Sequence, residues 1–199
     1  LTALTIMMKK NIFPLQPERI YHIYNRGING GPLFFDPQNY LYFQKLITQK
    51  VKPIAKIYSY CLLKSHFHLL VKIESEAKIR ALFPEKNQTA IETIISQQFS
   101  NTFNSYSQAI NKRYARTGKL FELPFRRRDI DSSEKLVTTI LYINQNPVKH
   151  GITKDGFSYP YSSASDIIKN NNTFIESDDI INLFDGVDGF KNSLQNYDV

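Results

Sequence analysis

Three observations predict an α+β fold in which helices cover one face of an antiparallel sheet. Short runs rich in β-branched and aromatic residues occur at Ile20 to Asn25, Ile54 to Leu63 and His66 to Ile73, a composition that suits a pleated, half-buried surface. Only Lys64-Ser65 separates the last two runs, so they pair as a hairpin. Helical periodicity then gives the order strand, helix, strand, strand, helix, strand, helix, which is the ferredoxin-like arrangement.

The first strand, from about Arg19 to Arg26, stops at Gly27. The loop from Gly27 to Pro32 lacks the Lys-Ser/Thr ending of a phosphate-cradling loop. Asp36-Pro37 supplies an N-cap and a proline at the first helical position, and Tyr40, Phe43, Leu46 and Ile47 recur at helical spacing until near Lys50 to Pro53. Glu74 to Asn87 is charged without a steady period and reads as a loop with a short helix. From about Gln88 to Arg113, residues Ile91, Ile94, Ile95, Phe99, Phe103, Tyr106 and Ile110 mark the longest amphipathic helix, whose aromatic stripe is a core face. An edge strand at Arg126 to Asp129 precedes a last helix that starts at Asp131-Ser132-Ser133-Glu134, runs from about Ser133 to Gln145, and is closed by Pro147 and Gly151. Residues 1–150 read as one domain, and 151–199 as an acidic extension with short helices, packed on it or trailing it.

The 199 residues, 42% of them hydrophobic, suffice for one well-cored domain with decorations. Cys61 is the single cysteine, which excludes a disulfide framework and a thiolate zinc site and fits a reducing compartment. No apolar run is long enough to span a bilayer. The stretch from Leu1 to Lys10 lacks a signal peptide's order of charges, Met7 or Met8 reads as the native start, and the expected location is the cytoplasm. The net charge of +7 divides unevenly: residues 1–150 carry 22 Lys and Arg against 10 Asp and Glu, residues 151–199 carry 3 against 8. The basic part suits a polyanionic partner. Seven cations, Lys112, Arg113, Arg116, Lys119, Arg126, Arg127 and Arg128, are interleaved with Tyr114 and Phe121. Cations for phosphates and rings for unstacked bases are what a nucleic-acid channel requires; the alternative is a solvated loop beside an edge strand.

Strand alternation places His66 and His68 on one face, with Phe67, Leu69 and Val71 on the other. Two imidazoles on one side of a sheet can share a metal ion, or can stand on a solvent-facing strand with no such role. On the last helix Tyr142 and Asn146 are four residues apart and share a face. Asn146 offers a neutral oxygen that, with His66 and His68, completes a three-ligand site with open positions for substrate. Tyr142 then stands beside the metal, although an amphipathic helix gives a tyrosine an ordinary packing role as well.

His66-Phe67-His68 resembles the HUH motif of the single-tyrosine endonucleases. Tyr142-Ile143-Asn144-Gln145-Asn146-Pro147-Val148-Lys149-His150-Gly151 resembles the helix end of the IS200/IS605-like transposases, and most closely that of their REP-associated branch. The likeness extends from Tyr21-His22-Ile23-Tyr24-Asn25-Arg26-Gly27, through Asn111 to Phe121 and the Arg126 to Asp129 strand, to Tyr159-Pro160-Tyr161-Ser162-Ser163. It implies an HUH endonuclease fold, a divalent ion (Mg²⁺ or Mn²⁺) held by His66, His68 and Asn146, and Tyr142 as the nucleophile. It further implies cleavage and rejoining of single-stranded or hairpin DNA through a 5′-phosphotyrosine. On that reading Lys112, Arg113, Arg116, Lys119, Arg126, Arg127 and Arg128 contact the DNA backbone and Tyr114 and Phe121 stack on bases. A homodimer is an expectation drawn from relatives that exchange the tyrosine helix; some REP-associated members are monomers. The acidic stretch after Gly151 departs from the family pattern. The competing expectation is a non-catalytic nucleic-acid-binding module of the same fold. A replication initiator or relaxase would carry a further domain of which the sequence gives no sign.

Overall fold

The computed structural model describes residues 13–198. The expected native start at Met7 or Met8, and Lys9-Lys10 beside it, lie outside these residues. In chain order the elements are β1 (Ile20–Arg26), α1 (Pro37–Lys50), β2 (Ala55–Leu63), β3 (His66–Ile73), α2 (Glu76–Leu82), α3 (Ile91–Arg113), β4 (Arg126–Ile130), α4 (Ser133–Lys149), α5 (Ala164–Ile168), α6 (Ser177–Leu183) and α7 (Val187–Gln195). The four strands form one antiparallel sheet in the order β2-β3-β1-β4, the ferredoxin-like order that the sequence predicts.

Local chemistry accounts for the element ends. Asp36 caps α1: its carboxylate accepts from the backbone N–H of Asn39, and the Asn39 side chain reaches back in a capping box. Ser75 and Ser132 cap α2 and α4 in the same way, each accepting from the backbone N–H three residues on. Gly27 follows β1 because the chain doubles back there: a Cβ on it would lie 1.9 Å from the Gly31 carbonyl oxygen. Helix α4 runs on to Lys149, with Pro147 inside its last turn, beyond the expected end at Gln145. Proline removes only the bond to the Ile143 carbonyl. The turn still closes through His150 N–H to the Asn146 carbonyl at 3.0 Å, and the chain leaves the helix at Gly151, φ +65°.

Side-chain alternation divides the sheet into two faces. On one, Phe67 packs against Phe43 of α1 at 5.1 Å and against Phe103 of α3 at 5.1 Å, with Tyr106 and Phe121 in the same cluster. Burying each such ring contributes about 2–3 kcal/mol, and this cluster seats the two crossover helices together. The opposite face carries His66 and His68, and α4 crosses it, so helices do not all lie on one side as expected: α1 and α3 share a face and α4 lies on the other. The outer edge of β2 is covered by the segment after Gly151. Leu62 N–H donates to the Tyr161 carbonyl, Ser163 N–H to Tyr60 and Glu176 N–H to Ile57, and Cys61, buried and unpaired, bridges to Ser162. Ile167, Ile180, Phe190 and Leu194 of α5 to α7 are buried in the same core. No described helix is long and apolar enough to cross a membrane.

Candidate active site

Register builds the site. Tyr24 of β1 lies opposite both His68 of β3 and Arg126 of β4, Arg26 lies opposite His66, and His22 lies opposite Arg128. Directly paired residues point to the same side of a sheet, so His22, Tyr24, Arg26, His66, His68, Arg126 and Arg128 all stand on the face crossed by α4. Above them α4 presents Tyr142, Asn146 and His150 as a stripe of one residue per turn. The Tyr142 ring is 5.7 Å from that of His68, edge to face, and the His150 ring is 4.8 Å from that of His66. Asn146 lies midway along the stripe. The structure therefore gathers His66, His68 and Tyr142, far apart in sequence, around one point of the sheet.

The imidazoles are held in the form that ligates metals. Burial pushes His22 and His66 down to about 4. Arg128 adds to this at His22, as do His150 and Arg26 at His66. His68 is lowered well below the ordinary value, first by burial and then by the neighbouring histidines. All three are neutral at pH 7. His68 Nδ1 is engaged with His22 Nε2 at 2.8 Å, and His66 Nδ1 faces Ser65 Oγ at 3.2 Å, which leaves an Nε2 on each ring. Among the described residues no three His, Cys, Asp or Glu side chains are grouped to hold a metal. Three amides follow one another on α4. Asn144 is tied to Ser59 and Ser163, and Gln145 donates to the Leu194 carbonyl while its own Oε1, off the Tyr142 face, is buried with no hydrogen-bond partner among the described residues. Asn146 donates to the Tyr142 carbonyl at 2.8 Å, while its Oδ1 is buried with no hydrogen-bond partner among the described residues. An orphaned acceptor is costly to bury, and this one is on the helix face of Tyr142. Two free imidazole nitrogens and a spare amide oxygen fit a divalent cation of the Mn²⁺ or Mg²⁺ kind.

Two hollows flank this point and share His68 and Tyr24. One, of about 280 Å³, is bordered by His22, Arg128, Thr138, Tyr142 and Tyr197. The other, of about 410 Å³, is bordered by Arg26, Ser65, His66, Arg126 and His150. A longer groove of about 560 Å³ continues past Tyr24 to Ile28, Lys119, Leu123 and Arg126. Lys149 holds its ammonium 5.3 Å from the Tyr142 ring centre.

The basic link is placed less uniformly than its composition suggests. Arg126 and Arg128 are exposed on the histidine face, and Lys112 and Lys119 are also exposed. Arg127 points the other way, its guanidinium 4.2 Å from the Phe125 ring and bonded to Ser96 Oγ at 2.9 Å; burial pulls it down to about 10. Arg113 pairs with Asp36 at 2.8 Å, and the Tyr114 hydroxyl donates to the same carboxylate at 2.6 Å while its ring stacks on Phe35. Arg116 sits 5.6 Å over the Phe35 ring. Phe121 is only 4% exposed and packs against Phe67, Phe103 and Tyr106, which corrects its assignment as a base-stacking ring: it is a core residue. Tyr114 is likewise committed on both its ring and its hydroxyl. Among the half-exposed rings at the site, Tyr24 borders all three hollows. Neither Tyr24 nor His22 was marked as a site residue by sequence, although the two alternate on β1 just as His66 and His68 alternate on β3.

No family model and no curated protein matches the sequence. Among solved structures the chain is similar to a REP-associated tyrosine transposase bound to a REP hairpin, with a TM-score of 0.58 and 16% sequence identity over 82% of this chain and 86% of that one. At that identity the likeness defines the fold: the chain has the fold of a tyrosine transposase.

Proposed function

We propose that the chain is a single-tyrosine transposase of the HUH type, close to the REP-associated branch, which cuts and rejoins single-stranded or hairpin DNA. The observation that carries this reading is the Tyr142 ring lying 5.7 Å from His68, on the same helical stripe as a buried amide oxygen without a partner. The described solved structure, a tyrosine transposase with a hairpin bound, supports it. On this reading His66, His68 and Asn146 hold a divalent ion, Mn²⁺ or Mg²⁺. When bound, that ion supplies charge withdrawal from the nonbridging oxygens of the scissile phosphate.

The chain's own residues do the rest. The Tyr142 hydroxyl gives up its proton as its oxygen attacks phosphorus, the bond from phosphorus to the 3′-oxygen breaks and that oxygen takes up a proton, and the product is a 5′-phosphotyrosine with a free 3′-OH. The energy of the phosphodiester is thereby kept for rejoining. Burial of Asn146 and of the His68 ring keeps water from the inner side of the site. Arg128 beside Tyr142 takes a phosphate that flanks the cut, Arg26 and Arg126 beside His66 take another in exchange for Glu122, with which both pair in the free chain, and Tyr24 takes a base on its ring. The acidic segment after Gly151 acts as a cover for the β2 edge of the same domain.

Incubation with a single-stranded oligonucleotide and Mn²⁺ is expected to give a covalent protein–DNA band on a denaturing gel. EDTA and His66→Ala are each expected to reduce it at least a hundredfold. A non-catalytic DNA-binding module would instead bind the oligonucleotide with or without EDTA and give no band.

A further inference from the structure

We propose that His22 is a positioning residue that holds His68 in the one neutral tautomer able to ligate a metal, an inference that rests on His68 being a metal-holding residue. A neutral imidazole carries its proton on one nitrogen and its free lone pair on the other. His68 Nδ1 lies 2.8 Å from His22 Nε2, and between two neutral rings at that separation one nitrogen donates and the other accepts. With the proton on His68 Nδ1 and His22 Nε2 accepting, the His68 Nε2 lone pair is free. With the roles reversed, Nε2 carries the proton and cannot ligate.

The ligating role of His68 selects the first arrangement, because only there does Nε2 keep its lone pair while His22 Nε2 accepts the Nδ1 proton. The contact between the two rings is the one hydrogen bond either makes through its ring nitrogens among the described residues, so each arrangement leaves one outward N–H, on His22 Nδ1 in the first and on His68 Nε2 in the second. Asn146 Oδ1, the spare acceptor on this face, is bonded to neither. A proton on His68 Nδ1 has its acceptor in place in His22 Nε2. His68 borders both hollows, so its Nε2 side is open to a ligand, while its Nδ1 is turned to His22. Without His22, the Nδ1–H of a ligating His68 would be stranded in the interior, and removing such outer partners typically weakens metal binding about 10- to 100-fold.

Two variants and two readouts test this. ¹⁵N-histidine NMR on the metal-free protein is expected to show His68 as the Nδ1–H tautomer in wild type and in His22→Gln, whose amide oxygen can accept the same proton, but as Nε2–H in His22→Leu. Titration with Mn²⁺ is expected to give an affinity about 10- to 100-fold weaker in His22→Leu, with His22→Gln restoring most of it. A merely structural His22 would not show this split between leucine and glutamine. An Nε2–H tautomer in wild type, or unchanged Mn²⁺ affinity in His22→Leu, overturns the proposal. A wild-type protein with the Nδ1–H tautomer that takes up no Mn²⁺ defeats the metal reading, while the His22 assignment stands.

Discussion

Three consecutive arginines in β4 face two directions, and their side chains are expected to behave accordingly. Arg128 is exposed beside His22 and makes no ion pair among the described residues, whereas Arg127 is wedged between Phe125 and Ser96. Arg128→Ala is expected to weaken single-stranded DNA binding and to reduce the salt slope of log affinity by about one phosphate contact. Arg127→Ala is expected to leave DNA affinity within about twofold and to cost about 1 kcal/mol of stability through the lost ring contact and hydrogen bond. Fluorescence anisotropy against salt and thermal melting check the two. At this scale strand alternation made His66 and His68 legible as a pair, and helical spacing did the same for Tyr142 and Asn146. Composition alone misled for Phe121 and Arg127, because interleaved cations and rings look alike whether the ring faces solvent or the core. His22 was out of reach for a different reason: its contact with His68 depends on the register of β1 against β3, which no local pattern states.

Helix α4 is fixed against the sheet by a small polar network as well as by its apolar residues. The Asn144 amide donates to Ser59 Oγ at 3.1 Å, accepts from Ser163 Oγ at 2.9 Å, and the two serines meet at 2.8 Å. All three residues are fully buried, so the network joins α4, β2 and the start of α5 where no water can replace a lost partner. Asn144→Ala takes one partner from each hydroxyl, leaving them only each other and the Tyr60 N–H, and is expected to cost about 1–3 kcal/mol, read as a lower midpoint in urea. Because the helix carries Tyr142, the variant's adduct yield should fall more steeply with temperature than that of wild type. The helix itself was readable from its caps and periodicity. Its last turn was not, since proline is disfavoured inside helices in general and only the closing bonds at His150 and Gly151 show that one turn tolerates it here.

In the whole molecule, charge and edge protection are divided between the two parts of the chain. The basic part builds the sheet and its arginine-lined face, and the acidic part lies along β2, the strand edge remote from β4, where Tyr161, Ser163 and Glu176 satisfy the backbone. The sequence showed the charge asymmetry but not that the acidic segment is a sheet cover, because those hydrogen bonds are made by main chain. Three neutral histidines on one face also tie stability to pH. His22 and His66 are lowered from about 6.5 to about 4, so between these values the unfolded chain binds more protons than the native one and stability rises with pH. The contribution is complete above about pH 6.5 and is lost as pH falls through 4. For His22 alone it is on the order of 3 kcal/mol, and chemical denaturation at pH 7 and pH 4.5 should show the loss, smaller in His22→Leu.

Three tyrosines, Tyr24, Tyr142 and Tyr197, border one hollow of the site, and only Tyr142 stands on the stripe with Asn146. The most direct measurement is therefore mass spectrometry of the protease-digested covalent DNA adduct formed in Mn²⁺. The nucleotide remnant is expected on the peptide containing Tyr142, with no adduct from Tyr142→Phe. A remnant on Tyr24 or Tyr197, or an undiminished adduct from Tyr142→Phe, would contradict the assignment of the nucleophile and with it the proposed chemistry of this site.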